Sequence, residues 1–149
     1  MNKKYFFLFI IFSFYSHGHE FNPAHLIINE KSSFSYSVKL FYPQQYKHNP
    51  PEILYPSNCK TSKEAKSSNI KNSIESYTLV CSEDIKGKKI RFENLDFLTD
   101  ALLSINFIDG SSYESIVSSR DLEIVVPLEQ SIYPFAYFNL GFDHLLKGI

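Results

Sequence analysis

The chain has 149 residues, 15 basic and 16 acidic side chains, and no tryptophan. So even a balance offers no basic excess to neutralise a phosphate backbone, and nucleic-acid binding has no footprint here. Fourteen Phe and ten Tyr carry much of the apolar content, a composition that favours strands over helices.

The N-terminus reads as a cleavable signal peptide, residues 1–18. Asn2-Lys3-Lys4 is a short positive region, and Tyr5 to Tyr15 is an uncharged run of Phe, Ile and Leu. That run is too short to cross a bilayer core of about 30 Å as a helix. Ser16-His17-Gly18 places small residues at the −3 and −1 positions of a cut before His19. Removing Lys3 and Lys4 leaves 13 basic against 16 acidic residues, a net charge of −3 on the mature chain. The rest is enough for one domain with a sizeable core, expected over residues 19–130.

Ala24 to Asn29 reads as a first strand and Glu30 to Ser33 as a turn. Phe34, Tyr36, Val38 and Leu40 then alternate with Ser35, Ser37 and Lys39, the pattern of a half-buried strand. Pro43, Pro50, Pro51 and Pro56 reduce the next stretch to loop and a short edge strand at Ile53–Tyr55. His48 lies in that proline-rich stretch, at an exposed position. Lys60 to Ser73 is rich in Ser, Lys and Asn and reads as a loop. Strand pattern resumes at Tyr77–Cys81 and, after Gly87, at Lys89–Phe92. Only Asn94 to Asp100 has room for a helical turn. Ala101 to Phe107 alternates again and meets Asp109-Gly110, a strong hairpin signal, with Tyr113–Val117 as the return strand. Leu122–Val126 is the last strand. About seven short strands with regular turns predict an all-β, immunoglobulin-like sandwich.

Cys59 and Cys81 form an even pair. In an exported domain the expectation is a disulfide rather than a metal site, since no further ligand flanks either cysteine. Closing that loop is worth roughly 3 kcal/mol in the chain-entropy model. Residues 131–149 change character: they are apolar and aromatic, and such a segment is seldom left exposed on an isolated soluble domain. As a helix, residues 135–149 would reach about 22 Å, short of a span. The alternative for this segment is an amphipathic helix docked on the sandwich, with Asp143, His144 and Lys147 facing water.

No Gly-x-Ser-x-Gly, His-Glu-x-x-His, phosphate loop or dinucleotide fingerprint occurs, so no enzyme is expected. A cut after Gly18 would leave His19 with a free α-amine beside its imidazole, a chelate suited to copper or nickel, with Glu20 or His25 as further ligands. Asp143 and His144 are the second candidate pair, because ionisable groups in a membrane segment are costly and usually functional.

The mature start His19-Glu20-Phe21-Asn22-Pro23-Ala24-His25-Leu26 resembles the opening of the long-ectodomain branch of the HupE/UreJ family, hydrogenase/urease accessory membrane proteins. The cysteine pair and the Asp-Gly hairpin have counterparts there. Leu140-Gly141-Phe142-Asp143-His144-Leu145-Leu146-Lys147-Gly148-Ile149 looks like the approach to that family's first membrane helix, before a second Asp-His motif. The resemblance implies an extracytoplasmic domain on the periplasmic side of the inner membrane, attached through the C-terminal segment and linked to the handling of nickel or a similar metal. Without the further helices, a transport pathway is not expected of this polypeptide. The competing expectation is a periplasmic binding or interaction module with a protein partner and no metal role.

Overall fold

A computed structural model describes residues 23–62, 65–69, 71–95 and 100–128. The expected signal peptide, the 131–149 segment and most of the suspected helical turn at 94–100 lie outside these residues. Ten strands occur among them: β1 (Ala24–Ser32), β2 (Ser35–Pro43), β3 (Glu52–Leu54), β4 (Cys59–Thr61), β5 (Ala65–Ser68), β6 (Asn72–Cys81), β7 (Lys89–Glu93), β8 (Ala101–Asn106), β9 (Ser112–Val117) and β10 (Glu123–Val125). One three-residue 3-10 turn, Gln44–Tyr46, follows β2.

The strands form two sheets. The larger runs β4-β6-β2-β1-β8-β9, with β5 also on β6, and the smaller runs β10-β7-β3. All neighbours are antiparallel except β1 and β8, which run parallel from Ala24↔Ala101 to Asn29↔Asn106. The chain is therefore the all-β sandwich expected, divided seven strands against three.

Alternation decides which side chains meet between the sheets. Leu26 and Ile28 of β1, Tyr36 and Val38 of β2, and Leu103 and Ile105 of β8 face inward and are fully buried. Ile90 and Phe92 of β7 cover them from the smaller sheet, joined by Ile124 of β10 and by Ile85 from the preceding loop. Tyr36 places its hydroxyl 3.4 Å from Asp84 Oδ1; burial, then the Asp84 charge, push its pKa up to about 12.

Two expectations shift. The stretch 60–73 is largely strand rather than loop: β4 and β5 lie end to end along the outer edge of β6, from Cys59↔Cys81 to Ser68↔Ser73. The tip of this long hairpin is tied by Asn69 Oδ1, which accepts from the N–H groups of Lys71 at 3.0 Å and Asn72 at 2.7 Å. Composition hides such an edge, because all four β5 residues are exposed and no apolar alternation marks them. The first turn is also tighter than expected. Strand pairing runs to Ser32↔Ser35, so the turn is Ser33-Phe34 alone, with Phe34 at φ 61°.

The Asp109-Gly110 hairpin forms as expected. Gly110 takes φ 85°, the left-handed conformation such a short loop needs, and Phe107 N–H closes it on the Ser111 carbonyl at 2.9 Å. Ser111 donates to Asp109 through both its N–H and its hydroxyl, holding that carboxyl below its ordinary pKa. Cys59 and Cys81 are joined. They are directly opposite on β4 and β6, and Ser82 N–H donates to the Asn58 carbonyl just outside them. That makes them a non-hydrogen-bonded pair, where facing side chains approach closest. A disulfide persists in oxidising compartments, in keeping with export.

Candidate functional site

The unequal sheets leave the larger one overhanging the smaller. Along one inner row, Leu103, Leu26 and Leu40 lead from β8 across β1 and β2 to Glu75 on β6 and Lys66 on β5. The first three are buried under the smaller sheet. Beyond Leu40 the covering sheet ends at β3, and the inner face turns polar. A cleft of about 550 Å³ opens there, between β3 with its leading Pro50-Pro51 and the β5–β6 edge. Its shape and size suit a small ligand or a side chain of a partner.

Glu75 is the charged centre of this cleft. Its Oε1 accepts from the Tyr42 hydroxyl at 2.8 Å and from Lys66 Nζ at 2.7 Å. The two donors differ in kind. Tyr42 is a buried β2 side chain whose pKa is pushed up to about 12, by burial first and then by its bond to Glu75. It stays protonated and orients the carboxylate. The Lys66 side chain is 74% exposed while that of Glu75 is 19% exposed, so the ion pair joins a sheltered anion to a solvated cation. Pairs with one such partner contribute little and exchange easily. On the wall below, the hydroxyls of Tyr55 and Tyr77 meet at 2.8 Å with their rings edge to face, and Leu40 and Ile53 supply apolar floor. The arrangement is suited to holding an ammonium or guanidinium group against Glu75 with its alkyl stem over tyrosine rings.

This cleft was not among the candidate residues taken from the sequence. A signal existed. Stepping back by twos from Leu79 puts Tyr77, Glu75 and Ser73 on the core face of β6, a polar interruption in an otherwise apolar register.

Of the metal candidates, only His25 lies among the described residues; His19, Glu20, Asp143 and His144 lie outside them. His25 is on the outer face of β1, its Nε2 2.9 Å from Ser104 Oγ and its ring 6.5 Å from that of Phe41. Burial lowers its pKa, partly offset by the charge of Glu114, so the ring is neutral at pH 7. Ser104 lies opposite Glu114 on β9, with His25 on the other side of β8. The carboxylate thus sits beyond the serine rather than beyond the imidazole, the wrong order for an acid that orients a catalytic histidine. No group of three His, Cys, Asp or Glu side chains able to hold a metal ion occurs among the described residues. His48 is exposed, as expected. Among the described residues no helix is long and apolar enough to cross a membrane.

No family model matches the chain, and no curated protein matches it.

Proposed function

We propose that this chain is the extracytoplasmic domain of a HupE/UreJ-like membrane protein, serving there as a recognition module whose ligand surface is the Glu75 cleft. The observation that carries the recognition role is the Glu75 carboxylate, held on the inner face of β6 by buried Tyr42 and paired with the exposed Lys66. The location is supported by the Cys59–Cys81 disulfide and the Asp109-Gly110 hairpin, features that the resemblance to that family also implies, and by the leader-like N-terminal and apolar C-terminal sequences on either side of the sandwich.

The cleft reading predicts selectivity for cations. In the full chain, n-butylammonium should shift the nuclear magnetic resonances of Tyr55, Tyr77 and Glu75 in a saturable way. n-Butanol should leave them in place, and Glu75→Gln should abolish the effect. Equal responses to amine and alcohol would defeat the reading.

Within this proposal metal handling falls to the chain's ends, to His19 and Glu20 at the mature N-terminus and to Asp143 and His144. His25, with its Nε2 engaged by Ser104, is the weakest of the five. Copper(II) or nickel(II) titration of the processed chain should show tighter binding than its His19→Ala variant, because the imidazole completes the chelate begun by the free α-amine. Identical affinities would remove the N-terminal site.

A further inference from the structure

Apolar side chains that the core does not use are gathered at one end of the sandwich. Six large apolar residues are exposed among the described residues: Phe34, Leu54, Val80, Ile108, Val125 and Leu128. All but Leu54 belong to one end. Phe34 forms the β1–β2 turn, and its carbonyl accepts from Cys81 N–H, which places the end of β6 and Val80 beside it. Ile108 tips the β8–β9 hairpin, and its N–H reaches Glu30 Oε2 at 3.0 Å next to the β1–β2 turn. Val125 pairs with Lys89 at the start of β7, and Leu128 approaches Gly87 in the loop leading to it. Lys86 of that loop lies 4.4 Å over the Phe107 ring and 3.4 Å from Asp109, joining it to the β8–β9 turn.

Two further features point to a use for this end. Phe34 stands at φ 61°, a conformation that large side chains seldom adopt, and the residue is 39% exposed at the tip of the turn. Ile108 and Leu128 are more exposed still, at 66% and 75%. Leu128, at this end, is also followed closely in the sequence by the apolar, aromatic segment 131–149. The charges at this end are largely satisfied within the domain, with Lys86 on Asp109 and Lys88 on Glu83 at 3.1 Å. A surface with apolar tips and internally paired charges fits a zwitterionic lipid interface, where binding follows buried apolar area and is insensitive to salt.

We infer that the Phe34–Ile108–Leu128 end of the sandwich rests on the bilayer, its tips in the headgroup boundary, while the Glu75 cleft is left open to the aqueous side. The inference rests on the proposed membrane location and adds the orientation of the domain.

The absence of tryptophan allows a direct test. Phe34→Trp, Ile108→Trp and His48→Trp each introduce a unique reporter, His48 lying beyond the far end of β2, and Phe138→Trp reports on the C-terminal segment. Each full-length variant is reconstituted into phosphatidylcholine vesicles carrying brominated acyl chains. The 34 and 108 reporters should shift to the blue and lose most of their emission, equally in low and high salt, while the 48 reporter stays unquenched. Quenching at 138 without quenching at 34 and 108 would overturn the inference and leave the membrane reading standing. Quenching at none of the four would overturn both. A blue shift at 34 and 108 that needs no vesicles and grows with protein concentration would assign this end to a second copy of the chain, and would also overturn the inference.

Discussion

The centre of the larger sheet and its β4–β5 edge are held together by different means. In the centre, Leu26, Ile28, Tyr36 and Val38 are fully buried, and β1 is paired on both sides from His25 to Asn29. At the edge, every β5 residue is exposed, and what keeps the strand in place is backbone pairing with β6, the Lys66–Glu75 ion pair, the Asn69 turn and the Cys59–Cys81 bond. The centre is stabilised by area removed from water, the edge by hydrogen bonds and a covalent tie. The Glu75 cleft takes one wall from the edge. A wall with few buried apolar contacts opens at lower free energy than the core, so it can adjust to what it holds.

Three experiments separate the two regions. The largest effect belongs to the centre: Leu26→Ala should lower unfolding free energy by about 2–5 kcal/mol, whereas Ser67→Ala on β5 should stay within about 0.5 kcal/mol. Urea denaturation of both measures the contrast, and similar losses would dissolve it. Next, replacing Cys59 and Cys81 together by Ser should cost about 3 kcal/mol. Hydrogen exchange is the sharper reading, because protection should fall along β4 and β5 while β1 and β8 keep theirs. Uniform loss over the whole sandwich would mean that the edge is no separate unit. The smallest effect comes from His25 on the centre's outer face. Its folded pKa lies below the ordinary 6.5, so the unfolded chain takes up the proton first. The stability associated with the neutral ring is complete above pH 6.5 and declines as pH falls from there through the folded value. His25→Gln should flatten that limb of the pH–stability profile.

The same contrast explains what the sequence made legible. Strands that bury one face announce it by alternation, so β1, β2, β8 and β9 could be read from Leu26, Tyr36, Leu103 and their neighbours, and Asp109-Gly110 marked its own turn. The disulfide followed from compartment and count. As strands, β4 and β5 left no alternation to read, since an exposed edge held chiefly by backbone pairing needs no apolar face. The cleft was hidden for a further reason: Glu75 faces an open cleft only because the smaller sheet stops at β3, and the lateral extent of a covering sheet is a tertiary property. Parallel pairing of β1 with β8 was equally out of reach, because periodicity states which face is buried and not which strand lies alongside.

That parallel pairing sets an order of assembly. Asn29 and Asn106, bonded at 2.9 Å, stand 77 residues apart. In a chain made from its N-terminus onward, β1 and β2 can pair as soon as their turn closes, but the other side of β1 has no neighbour until β8 arrives. For that interval the nascent hairpin carries an open strand edge beside the apolar face of Leu26 and Ile28, the combination that recruits unwanted strands. The late-arriving β8 thus ends the chain's most aggregation-prone period. Mutations that slow its docking should appear as lost yield before they appear as lost stability.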